Sequence, residues 1–226
     1  MKQIPLPVEI SQYMTFESFF VGQNSALIDA LNAQDQKLIW ITAETGNGKT
    51  HLLSSLCNQY DLDNKRIQYL SMNDSDDYSP EIIEGLEGLD LIAIDDIDCV
   101  IGQYTWEEKL MVLYESILNS NTRLIMASKK TPKGLNFQIP DLASRFSLGL
   151  LFKINPLDDD ELVVAIQYHA NARGFDLPDD SAQFIMKRTV RSVTSLMDIL
   201  DILEYESLSS QRKLTIPFIK SVLKIG

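Results

Sequence analysis

The segment from Ala43 to Thr50 constrains the fold of this chain more than any other part of its sequence. It reads Ala-Glu-Thr-Gly-Asn-Gly-Lys-Thr, follows the apolar run 38–41 and leads into an amphipathic stretch that begins at His51. A buried strand, a glycine-rich turn and a helix in this order form the phosphate-binding loop of many nucleotide-binding proteins. Ala43 stands where that pattern has its first glycine, so a plain glycine-rich turn before a helix is the alternative.

The residues of this loop predict a nucleotide site. Its two glycines let the backbone curl so that successive N–H groups point at phosphate oxygens. The Lys49 ammonium can reach the outer phosphates, and the Thr50 hydroxyl can bind Mg²⁺. We therefore predict the cofactor-binding residues Thr45, Gly46, Asn47, Gly48, Lys49, Thr50 and His51. For His51, a packing or surface role is the alternative.

A second apolar run, Leu91 to Ile94, ends in Asp95 and Asp96. Such a run is typical of a buried parallel strand beside the first one, and its terminal acids match the Walker B pattern. Asp95 is predicted to hold Mg²⁺ through water, and Asp96 occupies the position that polarises the attacking water in hydrolysing relatives. The alternative is a strand followed by a polar turn.

The spacing of apolar segments predicts the fold class. Strand-length runs recur at 38–41, 67–70, 89–94, 124–127 and 150–154, with helix-length segments between them. This alternation predicts an α/β domain whose parallel sheet carries helices on both faces. After Pro156 the pattern changes to three or four helices, the first beginning at a capping box of Asp158 and Glu161. We predict an N-terminal peptide at 1–12, the α/β domain at 13–155 and a helical domain at 156–226.

Charge and hydropathy limit the partners of the chain. It has 32 acidic against 20 basic side chains, a net charge of −12, which disfavours direct, sequence-specific binding of duplex DNA. No apolar stretch approaches the ~18 residues that cross a bilayer, and the first residues lack the apolar run of a secretory signal. We therefore predict a cytoplasmic protein without a membrane segment.

Three segments resemble a known family. They are Phe16-Glu17-Ser18-Phe19-Phe20-Val21-Gly22 with Asn24, Asp141-Leu142-Ala143-Ser144-Arg145-Phe146, and Gln211-Arg212-Lys213-Leu214-Thr215-Ile216-Pro217-Phe218. They are similar, in that order, to the adenine-wrapping segment, box VII and the closing lid segment of the DnaA/Hda branch of AAA+ proteins. The resemblance covers nearly the whole chain. It implies a AAA+ P-loop domain with a C-terminal lid, and it adds Phe19, Val21 and Gly22 to the nucleotide site.

The resemblance also implies a catalytic role for Arg145, the arginine near the end of box VII. In AAA+ proteins this arginine enters the nucleotide site of a neighbouring subunit, where it neutralises charge on the transferred phosphoryl group. Such an arginine finger supplied in trans raises rates by ~10³ to 10⁵. The implied partner is DnaA, whose bound ATP Arg145 would help to hydrolyse. A salt bridge at a helix end is the alternative.

The N-terminus offers a second implied partner. Gln3-Ile4-Pro5-Leu6-Pro7 is similar to the peptide by which members of this branch bind the sliding clamp, the beta subunit of DNA polymerase III. A short extended peptide of this kind can fill a hydrophobic groove, with Gln3, Ile4, Leu6 and Pro7 as contacts. A disordered start is the alternative. Fifteen residues precede Phe16, and the chain stops at Gly226, so we expect no helix-turn-helix domain.

Two departures from the family pattern bear on turnover. Ser128-Lys129 falls where DnaA has a Ser-Asp pair at sensor 1, and Thr194 falls where sensor 2 has its arginine. Arg191, about one turn earlier, is the alternative candidate for the sensor 2 role. We therefore expect a bound nucleotide, ADP above all, with Mg²⁺ and with little turnover of its own. The leading hypothesis is a clamp-bound regulator that triggers hydrolysis of ATP on DnaA and limits initiation of replication. The alternatives are an autonomous ATPase and a DnaA-like loader of another replication protein, and a homo-oligomer is possible.

Overall fold

A computed structural model describes residues 14–77, 79–190, 192–210 and 212–225 of the chain. Three predictions concern residues outside these ranges: the clamp-binding peptide Gln3 to Pro7, the sensor 2 substitute Arg191, and the first residue of the lid segment, Gln211. The described chain divides into two compact units, with the division between Ile154 and Asn155.

The first unit is built on a five-stranded, fully parallel sheet with strand order β2-β3-β4-β1-β5. Apolar runs of five or six residues, rich in Ile and Leu, form its central strands because both faces of a parallel sheet are buried. The strands are β1 (Leu38–Thr42), β2 (Ile67–Ser71), β3 (Leu91–Asp95), β4 (Arg123–Ser128) and β5 (Leu150–Lys153). The predicted α/β class is confirmed.

Helices cover both faces of this sheet. They are α1 (Ser25–Asn32), α2 (Lys49–Leu62), α3 (Tyr104–Leu118) and α4 (Pro140–Phe146), with short 3₁₀ turns at Met72–Asp77, Pro80–Ile83, Ile97–Cys99 and Pro132–Gly134. Side chains alternate along β1, so that Trp40 enters the core layer under α3 and α4 while Ile39 and Ile41 enter the layer under α1 and α2. The sheet thereby fixes the carboxyl ends of β1 and β3 on either side of the carboxyl end of β4.

The second unit contains four helices, and its described residues include no strand. The helices are α5 (Asp159–Ala172), α6 (Asp179–Arg188), α7 (Val193–Ser210) and α8 (Ile216–Leu223). The predicted capping box is present: the Glu161 N–H donates to Asp158 Oδ1 at 2.8 Å, and the Asp158 N–H donates to Glu161 Oε2 at 3.0 Å. Gly174, with φ of 85°, follows the C-cap of α5 and ends that helix.

Helix α3 begins at Tyr104, two residues before its first buried side chain, Trp106. No helix in the described ranges has both the length and the apolar character needed to cross a membrane.

Candidate functional site

The phosphate loop connects β1 to α2, as the sequence predicts. The Ala43 N–H donates to the Ser128 carbonyl at 3.2 Å, which ties the start of the loop to the end of β4. Gly46 and Gly48 have φ of 85° and 88°, in the left-handed region that favours glycine. A Cβ on Gly48 would lie 2.9 Å from Cε2 of Phe19. The structure therefore brings the predicted residue Phe19 directly against the loop.

Gly48→Ala is expected to weaken ADP binding about tenfold or more, because left-handed strain of ~1–2 kcal/mol adds to the contact with Phe19. The matched control is Gly85→Ala, since Gly85 has φ of 75° and no atom within 4 Å of an added Cβ. Both variants should lose stability in thermal unfolding, but only the loop variant should lose its stabilisation by ADP. An equal ADP response in the two variants would contradict this assignment.

Lys49 lies inside the curl of the loop. Its side chain is 5% exposed, and Nζ donates to the carbonyls of Ala43 at 2.9 Å and Glu44 at 3.4 Å. Among the described residues it forms no salt bridge. A buried ammonium held only by neutral carbonyls is poorly compensated, so an anion in the loop is favoured. The geometry thus suits a phosphate group.

Oxygen ligands for Mg²⁺ meet beside the loop. The Thr50 hydroxyl donates to Oδ2 of Asp95 at 2.5 Å, and Asp95 is buried. Hydroxyl and carboxylate oxygens are the ligands that Mg²⁺ prefers, usually together with substrate phosphates and water. In the described ranges no three His, Cys, Asp or Glu side chains are arranged so that they alone could hold a metal ion. Thr50 and Asp95 therefore fit a magnesium ion whose remaining ligands a bound nucleotide and water would supply.

Two contacts that the sequence did not predict hold Asp95 in place. The Tyr69 hydroxyl on β2 donates to Oδ2 at 3.0 Å, and the Asp96 N–H donates to Oδ1 at 3.0 Å. Burial, together with the negative charge of Asp95, raises the pKa of Tyr69, so the phenol stays protonated and acts as a donor. Tyr69 thus orients the Asp95 carboxylate.

Asp96 adopts a left-handed conformation with φ of 48° and ψ of 41°, uncommon for a residue with a side chain. Its Oδ2 accepts from Nδ2 of Asn73 at 3.1 Å. Burial, and to a lesser degree the charge of Asp95, raises the pKa of Asp96. Asn73 lies in the turn that follows β2. Its side-chain amide thus occupies one oxygen of Asp96, the residue predicted to polarise the attacking water.

His51 contacts residues upstream of the loop. Its Nε2 lies 3.0 Å from the Thr15 carbonyl and 3.2 Å from Oγ of Ser18, and its ring packs edge-on against Phe19 with centroids 5.6 Å apart. Burial lowers the pKa of His51, which favours the neutral ring. The structure thus places His51 in a packing role, as an anchor for the segment that leads into α1.

The segment 14–24, which we call the leading segment, is held by α2. Besides His51, the Asn58 amide of α2 donates to the Met14 carbonyl at 2.8 Å. The segment then turns into α1: the Asn24 N–H donates to the Val21 carbonyl at 2.8 Å, and Gly22 has φ of 48°. The predicted adenine contacts Val21 and Gly22 therefore lie in this turn, whereas Phe19 lies on the phosphate loop.

Arg145 lies in α4 in a defined orientation at the surface. Its Nε donates to Oδ2 of Asp141 at 2.7 Å, and a terminal guanidinium nitrogen donates to Oε1 of Glu115 at 3.1 Å. The guanidinium carbon is 5.7 Å from the centre of the Tyr114 ring. The hydrogen bond to Asp141, with the nearby negative charges, raises the pKa of Arg145. The adjacent Phe146 is fully buried and anchors the helix.

Glu107 positions α4 from the neighbouring helix, a role that the sequence did not predict. The side chain is fully buried, and its two oxygens accept the N–H groups of Gly102 at 2.7 Å, Gln138 at 3.1 Å and Ile139 at 2.6 Å. Ile139 is the last residue before α4. A carboxylate with three backbone donors is well compensated. The only sequence signal was an acid next to Trp106 in an apolar helix.

The two sensor positions lie in different units. Lys129 follows β4, is exposed, and its N–H donates to Oδ1 of Asp98 at 3.2 Å. Thr194 is the second residue of α7. Lys129 and Thr194, which the resemblance places at the two sensors, thus stand at defined places in the fold.

A parallel sheet with a P-loop, a Walker B acid pair and a separate unit of four helices defines a AAA+ nucleotide-binding protein. The chain belongs to the bacterial DnaA ATPase domain family, whose model matches residues 10–153. The model of the Hda lid domain matches residues 158–223. The relationship to the DnaA/Hda branch is thereby confirmed.

Solved structures share the fold. Domain III of the Thermotoga maritima replication initiation protein DnaA is 23% identical over 93% of this chain and 95% of its own, with a TM-score of 0.78. AMPPCP-bound DnaA from Aquifex aeolicus is 22% identical over 87% of this chain and 66% of its own, with a TM-score of 0.73. The Thermotoga maritima RuvB Holliday junction branch migration motor is 17% identical over 96% and 73%, with a TM-score of 0.71.

Proposed function

We propose that this chain is a nucleotide-bound regulator that binds the DNA-loaded sliding clamp and stimulates hydrolysis of ATP bound to DnaA. It would thereby limit initiation of DNA replication. The observation that carries this proposal is the position of Arg145 near the amino ends of the strands, whereas the chain's own phosphate loop lies at their carboxyl ends. DnaA as the partner is supported by the family to which the chain belongs, that of the bacterial DnaA ATPase domain.

The position of Arg145 follows from the strand register. Its carbonyl accepts the N–H of Leu148 at 3.0 Å, and the next strand residue, Leu150, pairs with Ile39 near the amino end of β1. The phosphate loop leaves the carboxyl end of β1. At ~3.3 Å per residue, a five-residue strand separates these edges by roughly 16 Å. In the described chain the Arg145 side chain bonds to Asp141 and Glu115 and to no loop residue. It is therefore suited to serve another subunit.

The chemical role of Arg145 is electrostatic. When water attacks the γ-phosphorus of ATP on the partner, the bond to the oxygen that bridges the β- and γ-phosphates breaks, and negative charge collects on the oxygens of both groups. A guanidinium offers planar, paired donors that match two phosphate oxygens. The hydrogen bonds to Asp141 and Glu115 restrict the orientation of the side chain, which lowers the entropy lost when it meets the phosphates.

The chain's own nucleotide has a structural role in this proposal. Lys49 and the loop amides would hold its phosphates, and Thr50 and Asp95 would hold a magnesium ion that neutralises part of their charge. The Asp96 carboxylate accepts a hydrogen bond from the Asn73 amide. Lys129 and Thr194 would stand where the family has the aspartate of sensor 1 and the arginine of sensor 2. These features favour retention of ADP over repeated hydrolysis.

Clamp binding is assigned to the N-terminal peptide. Gln3→Ala combined with Leu6→Ala is expected to weaken clamp binding at least about tenfold, because two anchors of a short extended peptide are lost. The matched control is Val8→Ala combined with Glu9→Ala, which leaves the motif intact. Thermal unfolding should be the same for both variants, since a terminal peptide contributes little to the core. Undiminished clamp affinity in the first variant would place the contact elsewhere.

A second candidate function, an autonomous ATPase, is favoured by the complete set of Lys49, Thr50, Asp95 and Asp96. Steady-state hydrolysis by the purified chain separates the two functions. Turnover of about 1 s⁻¹ or faster would be typical of an enzyme in its own right, whereas the regulator should release phosphate only when ATP-loaded DnaA is present.

The regulatory proposal is tested with ATP prebound to DnaA. Hydrolysis is followed with this chain and DNA-loaded clamp together, and then with either of them omitted. Stimulation should require both. Equal rates with and without this chain would refute the proposal.

A further inference from the structure

A cavity of about 300 Å³ opens next to the helix that carries Arg145. Its lining is almost entirely apolar: Leu38, Tyr114, Ile117, Leu118, Leu148 and Gly149. The one charged residue at its margin is Lys37, whose ammonium donates to the Ser120 carbonyl at 2.6 Å. The cavity therefore offers van der Waals contact and little hydrogen bonding.

Gly149 lies at the wall of this cavity, where the chain passes very close to Leu38. A Cβ there would lie 2.6 Å from Cγ of Leu38 and 2.7 Å from its carbonyl oxygen. Only glycine lets the chain approach β1 this closely before β5 begins. The ring of Tyr114 and the side chains of Ile117 and Leu118 form much of the remaining wall of the cavity.

The rim of the cavity is unusually apolar for a surface. Leu148 is 79% exposed and Leu118 is 55% exposed. Next to them runs β5, the edge strand of the sheet, in which Leu151 is also exposed on the face that α3 and α4 cover. Single exposed leucines are ordinary, but a contiguous patch around a cavity marks an interaction surface.

Two contacts make this patch continuous with Arg145. Tyr114 lines the cavity and also lies beneath the guanidinium, with 5.7 Å between the guanidinium carbon and the ring centre. The Leu148 N–H donates to the Arg145 carbonyl at 3.0 Å. A partner that receives the Arg145 side chain must therefore also cover the cavity and its leucine rim.

We propose that this cavity is the socket for an apolar side chain on the nucleotide-bearing face of the AAA+ partner that receives Arg145. This inference rests on the function proposed above. A well-packed apolar anchor beside a charged contact excludes water from it, and such anchors carry much of the affinity of protein interfaces. Exclusion of water also strengthens the attraction of the guanidinium for phosphate. The socket would increase the affinity for the partner, and Arg145 would increase the rate at which the partner's ATP is hydrolysed.

The test separates these two contributions. Leu148→Asp should raise the concentration of this chain that gives half-maximal hydrolysis of DnaA-bound ATP at least about tenfold, with the maximal rate unchanged. Arg145→Ala should instead lower the maximal rate. The matched control is Leu62→Asp, since Leu62 is 82% exposed at the end of α2, away from this patch. Leu148→Asn should act in the same direction as the aspartate, which excludes repulsion by Glu115 and Asp141 as the cause.

Three results would overturn the inference. If Leu148→Asp and Leu62→Asp behave alike while the wild-type chain stimulates DnaA, the socket fails and the proposed function stands. If sedimentation shows that Leu148→Asp abolishes self-association without changing the response of DnaA, the occupant is a second copy of this chain. If the wild-type chain neither binds nor stimulates DnaA, both proposals fall. Equal thermal stability of the two aspartate variants and an unchanged ADP response establish that the fold is intact.

Discussion

Replacing Arg145 with alanine is expected to abolish the stimulation of ATP hydrolysis on DnaA while the variant keeps its fold, its bound ADP and its affinity for the clamp. The loss should approach the full effect of an arginine finger, ~10³ to 10⁵ in rate. Its partners Asp141 and Glu115 are more than half exposed, so the substitution leaves no carboxylate buried without a partner. The measurement is single-turnover hydrolysis of radiolabelled ATP prebound to DnaA, with DNA-loaded clamp.

Two further variants sharpen this result. Arg145→Lys should rescue poorly, because a point charge cannot reproduce the planar fork that spans two phosphate oxygens. Arg66→Ala, which removes an exposed arginine 3.9 Å from Asp90, should leave stimulation unchanged. Full stimulation by the folded alanine variant of Arg145 would show that the chain only concentrates DnaA at the clamp.

The second large effect is expected at Lys49. Lys49→Ala removes the cation that the loop curls around, so ADP should bind far more weakly and lose its effect on thermal unfolding. A ligand present at 100 times its dissociation constant stabilises a protein by ~2.7 kcal/mol, and this increment should disappear. The matched control is Lys133→Ala, which removes an exposed lysine from a 3₁₀ turn.

The comparison uses thermal unfolding of each variant with and without Mg²⁺-ADP. Without nucleotide, the Lys49 variant should be at least as stable as the wild type, because it removes a buried ammonium that forms no salt bridge within the described residues. An unchanged ADP-dependent shift in that variant would contradict the assignment of the phosphate loop.

The sequence predicted the parts of the molecule that local patterns determine. Apolar runs flanked by turns identified all five strands, because central parallel strands are buried on both faces. The spacing from Asp158 to Glu161 identified the start of the second unit's first helix, because a capping box is a contact between near neighbours. The phosphate loop was predicted for the same reason: its glycines and lysine act within eight consecutive residues.

Contacts between distant residues could not be predicted. Tyr69 and Asp95 are 26 positions apart, Asn73 and Asp96 are 23, and Glu107 and Ile139 are 32. Their roles depend on which strand ends and helices lie side by side, and no local pattern encodes that. The apolar rim of the cavity could not be predicted for a further reason: sequence alone does not distinguish an exposed leucine from a buried one.

The central claim, that Arg145 reaches the transferred phosphoryl group on DnaA, is tested most directly with a transition-state analogue. DnaA is loaded either with ADP alone or with ADP and aluminium fluoride, and its affinity for this chain is measured with DNA-loaded clamp. Transition-state analogues bind at least ~10²-fold more tightly than ground-state ligands where an enzyme is complementary to the transition state. We predict that the analogue strengthens binding of the wild-type chain but not of the Arg145→Ala variant. Equal strengthening of both would contradict the account.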